Sequence, residues 1–118
     1  VKEILGFFSN KIKVLRDANV NDIIIDPGFG FGKTIDHNYK ILGNLDICKI
    51  LSKPILVGIS RKSMITKYLS ISKINSLNST TALNMYALSK GARILRVHNV
   101  KEAVECIKLN EKIKNSIL

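Results

Sequence analysis

Three short stretches of the chain are apolar on successive residues rather than on alternate ones: Ile23-Ile24-Ile25, Ile55-Leu56-Val57 and Ile94-Leu95-Arg96-Val97. A strand with one wet face alternates, whereas a parallel strand covered on both faces does not, so these runs predict three buried parallel strands. Around them the apolar residues recur every three or four positions. Ile4, Leu5, Phe8, Ile12 and Leu15 predict a helix over 1–18, and Ile41, Leu42, Leu45 and Ile50 predict another over 38–51. A short helix is expected near Met64 to Leu69 and a longer one near Thr80 to Lys90. A last helix should run from Lys101 to Lys114, with Asn99 placed to cap it.

The predicted strand ends fall near Asp26, Ser60 and Arg96, roughly 35 residues apart, which suits strand–helix units sharing a parallel sheet. Each end runs into a polar, glycine-bearing or basic stretch: "DPGFGFGK", "GISRKS" and "RVHN". In parallel α/β folds that edge is where sites are built. The first stretch invites a nucleotide reading, because Gly32-Lys33-Thr34 supplies the end of G-x-x-x-x-G-K-[ST]. The opening glycine would have to be residue 27, which is Pro27, and G-x-G-x-x-G does not fit either. A different ligand is needed.

Composition narrows the classes. With 118 residues, 46% of them apolar and 24% charged, the chain suits a single globular domain over 1–118. No apolar run approaches the roughly 18 to 20 residues of a membrane span, and none at the start has the form of a secretory leader. A cytoplasmic protein without a membrane role is expected. The chain opens at Val1 inside a predicted helix, as a piece of something longer would. Cys48 and Cys106 fall on predicted helices without metal-ligand spacing and read as buried free thiols. A net charge of +10 points either to an anionic partner or simply to plentiful lysine scattered over helix surfaces. With no Trp, a stacking platform for bases is poorly provided, so nucleic acid is not expected as a partner.

The three strand-end motifs carry more in combination. "DPGFGFGK" (Asp26 to Lys33), "SRKSM" (Ser60 to Met64) and "RVHNV" (Arg96 to Val100) are accompanied by "HNYKIL" and "STTALNMYALSKGA". In this order and spacing they resemble the C-terminal half of dihydropteroate synthase, a pterin-binding TIM-barrel family. The resemblance implies an α/β fold: about three strand–helix units, with an extra short helix, from the end of a (β/α)8 barrel whose N-terminal half is absent. It implies a transferase of folate biosynthesis that joins p-aminobenzoate to 6-hydroxymethyl-7,8-dihydropterin diphosphate, releasing pyrophosphate with the help of Mg²⁺. The metal ligand would lie in the absent half, with none in this chain. The full-length enzyme would be a homodimer.

Residue roles follow from the resemblance together with elementary chemistry. Asp26 would accept two hydrogen bonds from the pterin ring, a bidentate match for a carboxylate; its alternative role is that of a turn aspartate before Pro27. Phe31 would wall the pterin and the benzoate, and Gly58 would also line the pterin site. Lys62 would donate to the pterin while its alkyl stem packs against p-aminobenzoate. Ser63, opening the short helix, would receive the benzoate carboxylate or act as an ordinary cap. Arg96 would stack on the pterin and, with His98, bind the diphosphate; two apart on a strand, they should share one face. Lys62, Arg96 and His98 are thus the expected catalytic residues. A buried ion pair is the structural alternative for Arg96, a satisfied core histidine for His98. Arg61 and Lys33 are open between structural and ligand roles. Two departures stand out: Asn99 replaces the family's usual aspartate, and Ser79 a frequent glycine in the loop before the long helix. The competing readings are a stand-alone half-barrel or split subunit that binds anions without catalysis, and a basic nucleic-acid-binding module.

Overall fold

The computed structural model describes residues 1–30 and 32–118. The chain begins with helix α1 (Lys2–Asp17) and passes through an extended segment ending at Ile25. Then come α2 (Ile35–Gly43), a 3-10 stretch (Leu45–Leu51) and strand β1 (Ile55–Val57). Helix α3 (Ser63–Leu69), a 3-10 turn (Lys73–Asn75), α4 (Leu77–Ser89), strand β2 (Ala92–Leu95) and α5 (Val100–Lys114) complete it. The strands are parallel, with Leu56 beside Ile94 and Val57 beside Leu95.

The first predicted strand is reduced to one parallel bridge, Ile25 beside Ile55. Ile25 N–H donates to the Pro54 carbonyl at 2.9 Å, and Leu56 N–H donates to the Ile25 carbonyl at 2.7 Å. In a parallel ladder the next rungs would need the N–H of residue 27 on one side and of residue 54 on the other. Both are prolines and have none to give. Burial on both faces also fails here: Ile25 is 2% exposed and Ile24 56%.

Thr34 caps α2, its Oγ1 accepting from His37 N–H at 3.1 Å, so the helix starts earlier than position 38. It stops at Gly43, where Asn44 turns its side-chain amide back to the Lys40 carbonyl at 2.8 Å. The tighter 3-10 turn that follows stacks every third residue. Leu45 and Cys48 are therefore buried, while Ile50, expected in the core, is 78% exposed. Helix α4 begins three residues before the predicted start, so Ser79 lies in its first turn rather than in a loop. Its inner face is Thr80, Asn84, Ala87 and Leu88, too polar for an apolar pattern to announce. Strand β2 runs over 92–95 rather than 94–97, and Arg96 N–H adds a last rung to the Val57 carbonyl at 3.0 Å.

The core gathers Phe29, Leu42, Leu45, Ile55, Val57, Ile59, Met64 and Ile65 under the helices. Each large aliphatic side chain so buried stabilises the fold by about 1.5–3 kcal/mol. Tyr39 ties α2 to α3, its hydroxyl donating to the Met64 carbonyl at 2.7 Å. Both cysteines are free and buried, as expected. Among the described residues no helix is long and apolar enough to cross a membrane.

Candidate functional site

The segments leaving the C-terminal ends of the strands carry the candidate residues, and hydrogen bonds within and between them hold them together. Arg96 reaches back across 70 positions, its Nη1 3.0 Å from Asp26 Oδ2. Its guanidinium lies over Gly58, where a Cβ would stand 2.6 Å from Nη2. Only glycine leaves that space. Lys62 Nζ donates to the Phe29 carbonyl at 2.6 Å, and Lys33 Nζ to the Gly28 carbonyl at 2.9 Å. The stem of Lys62 crosses Gly30, which has φ +91° and would bring a Cβ to 3.3 Å from Lys62 Cδ. The repeated glycines thus let the loop pass beneath a lysine stem. His98 Nδ1 lies 3.0 Å from Ser60 Oγ.

Three conformations follow from local sequence. Asp26 precedes Pro27 and accepts from Gly28 N–H at 2.9 Å, so it is a turn aspartate as well as the partner of Arg96. The loop after it is pinned by the buried Asn38, whose Oδ1 accepts from Gly30 N–H and whose Nδ2 donates to the Thr34 carbonyl, each at 2.9 Å. Lys62, not Ser63, occupies the N-cap position of α3; Ser63 is the first helical residue and is exposed.

The site is cationic. Burial, and next the Arg96 guanidinium, hold the Lys62 ammonium below its ordinary pKa; the Asp26 carboxylate opposes this, and the Lys33 ammonium lowers it further. A cleft of about 620 Å³ is lined by Gly30, Ser60, Arg61, Lys62, Ser63 and His98, among others. Asp26 lines a separate recess of about 270 Å³ with Pro27 and Lys33, against Phe7 and Phe8 of α1.

Lys62, Ser63 and His98 are thus brought to one cleft, while Asp26, Arg96 and Gly58 form an adjoining cluster beside it. Phe31 lies outside the described residues. The structural alternatives for Arg96 and His98 fail in one respect: Arg96 is ion-paired but its side chain is 52% exposed, and His98 is exposed rather than in the core. The strand ends at Leu95, so Arg96 and His98 lie beyond it, Arg96 against Asp26 and Gly58 and His98 against Ser60. Asn99 occupies the N-cap position of α5, but its side chain makes no cap bond; Oδ1 instead accepts from Arg61 Nη2 at 3.3 Å. Arg61 therefore has a structural partner. Ser60 and Asn38 were not anticipated by the sequence reading. Among the described residues no group of three or more His, Cys, Asp or Glu could hold a metal ion.

A parallel α/β segment thus gathers an acid, a lysine, an arginine and a histidine at the C-terminal edge of its strands, where α/β folds build their sites. The family model for pterin binding enzyme matches residues 1–98. The chain belongs to the pterin-binding enzyme family. Its curated relatives include dihydropteroate synthase of Escherichia coli strain K12, 39% identical over 111 residues, 92% of this chain and 39% of that one. Among solved structures, Yersinia pestis dihydropteroate synthase with a pterine–sulfa conjugate superposes with a TM-score of 0.94 at 36% identity. That match covers 98% of this chain and 47% of the other. Dihydropteroate synthase from Thermus thermophilus, in complex with 4-aminobenzoate, gives 0.88 at 34% identity, covering 94% and 44%. The chain spans well under two thirds of the relatives it matches.

Proposed function

We propose that this chain is the C-terminal part of a (β/α)8-barrel dihydropteroate synthase. The complete enzyme condenses 6-hydroxymethyl-7,8-dihydropterin diphosphate with p-aminobenzoate to give 7,8-dihydropteroate and pyrophosphate. The amine nitrogen bonds to the methylene carbon and loses one proton. The carbon–oxygen bond breaks, and its electron pair leaves with pyrophosphate. The observation that carries this reading is the meeting of Asp26 and Arg96 over Gly58, next to Lys62. A carboxylate for ring N–H donors and a guanidinium for a diphosphate meet there, with the Lys62 ammonium beside them.

Asp26 Oδ2 is taken by Arg96 in this structure, so a pterin that uses both carboxylate oxygens displaces the guanidinium. An arginine released in this way is free to lie over the ring and face the anionic leaving group. Lys62, with its stem along Gly30, donates to the pterin and packs on the benzoate. Ser63 takes the benzoate carboxylate and His98 the diphosphate. Phe31 walls both substrates, and Gly58 keeps the floor flat. Each preorganised donor to the departing charge contributes on the order of 3 kcal/mol to the transition state. The Mg²⁺ ligand, homodimeric assembly and a cytoplasmic location belong to the same proposal.

The test is product formation by the complete polypeptide. Dihydropteroate and pyrophosphate should appear in equal amounts, only when both substrates are present, and Asp26→Asn should abolish both. Pyrophosphate released at the same rate without p-aminobenzoate would make the protein a hydrolase and refute the reading.

A further inference from the structure

The bond between Ser60 and His98 has no part in the substrate roles assigned above. Ser60 lies just beyond β1 and is 6% exposed. Its Oγ is 3.0 Å from His98 Nδ1 and 3.4 Å from the backbone nitrogen of the same residue. One position on, Arg61 Nη2 donates to Asn99 Oδ1, and Arg61 N–H donates to Thr80 Oγ1, both at 3.3 Å. Arg61 has φ 56°, a left-handed conformation that a non-glycine residue keeps only when its neighbours fix it. Two rungs, 60 to 98 and 61 to 99, therefore lace the segment carrying Lys62 to the one carrying His98.

We propose that Ser60 is a positioning residue that holds the His98 imidazole in the Nε2–H tautomer, with that N–H free for an anionic oxygen in the cleft. Ser60 Oγ accepts from the His98 backbone N–H, and its hydroxyl proton is placed to be donated to Nδ1. A neutral imidazole whose Nδ1 accepts carries its proton on Nε2. The other tautomer, or a flipped ring, would present a lone pair where an anion needs a donor. The Arg61–Asn99 rung is independent of Ser60. Removing the Ser60 hydroxyl should therefore free the ring while leaving the loop in place.

The inference rests on the reading of His98 as a diphosphate ligand, and the experiment separates the two. Long-range ¹H–¹⁵N spectra of the complete polypeptide, labelled at histidine and assigned with His98→Gln, report the tautomer directly at a pH where the ring is neutral. Wild type should show Nε2–H. Ser60→Ala should show mixed tautomers, with unchanged circular dichroism and a KM for dihydropterin diphosphate raised about 10- to 100-fold, as when partners that orient other ligand histidines are lost. An Nδ1–H wild-type ring, or a signal unmoved by Ser60→Ala, would overturn the proposal. A locked Nε2–H tautomer together with normal kinetics in His98→Gln would uphold the positioning and refute the diphosphate role instead.

Discussion

Gly58 sets the tightest constraint among the site residues, because a methyl group there would stand 2.6 Å from Arg96 Nη2. Gly58→Ala should displace the guanidinium from its place over residue 58, where the proposed stacking on the pterin needs it, and lower kcat/KM of the complete enzyme by about 10²–10³. Its melting temperature should barely move, since the exposed pair itself contributes at most about 1 kcal/mol. Steady-state kinetics with thermal melting checks both. Lys62 gives a pH signature. Its folded pKa is depressed, so at neutral pH the charged ammonium costs stability, and the cost disappears as pH rises from that depressed value to the ordinary 10.5. The stability difference, wild type minus Lys62→Met, should therefore rise through the alkaline range in urea titrations; a fall would contradict the burial argument. At residue scale Asp26, Lys62, Arg96 and His98 were legible as candidates through the motifs that carry the family resemblance. Ser60 was not, though register held the clue. Val57 beside Leu95 extends to Gly58 beside Arg96 and Ser60 beside His98, which is where the contacts fall.

Elements were legible where apolar residues dominate and failed where backbone chemistry decides. The first strand reads as apolar, but Pro27 and Pro54 remove the N–H groups on either side of its one bridge. The 38–51 helix reads as continuous, but Gly43 and Asn44 end it, and a 3-10 turn then changes the period from 3.6 to 3.0. At the start of α2 two residues do separable work. Thr34→Ala removes the cap acceptor for His37 N–H and should cost about 1 kcal/mol. Asn38→Ala strands Gly30 N–H, while the Thr34 carbonyl keeps the backbone N–H of residue 38, and should cost about 2 kcal/mol. It should also lower activity, because Gly30 carries the stem of Lys62. Denaturant unfolding of both variants, read with kinetics, separates a cap from a loop anchor.

On the scale of the whole molecule, the exposed Phe7, Val14, Ile24 and Ile50 describe surfaces that water does not favour. The extended edge ending at Ile25 has one strand neighbour among the described residues. The 118-residue chain expressed alone should self-associate or aggregate; a cooperative, soluble monomer in light scattering and urea unfolding would contradict this. Buried Cys48 and Cys106, with thiol pKa values raised chiefly by burial, should react with thiol reagents only after unfolding. The family was readable from motif order alone, whereas burial across the molecule depends on packing partners that no local pattern encodes. The central claim is that Lys62 and Arg96 act on substrates rather than hold the fold. The most direct measurement is turnover of the complete polypeptide carrying Lys62→Ala or Arg96→Ala, with circular dichroism in parallel. The account predicts a loss of kcat/KM of about 10² or more with the fold intact; near-normal rates in both variants would contradict it.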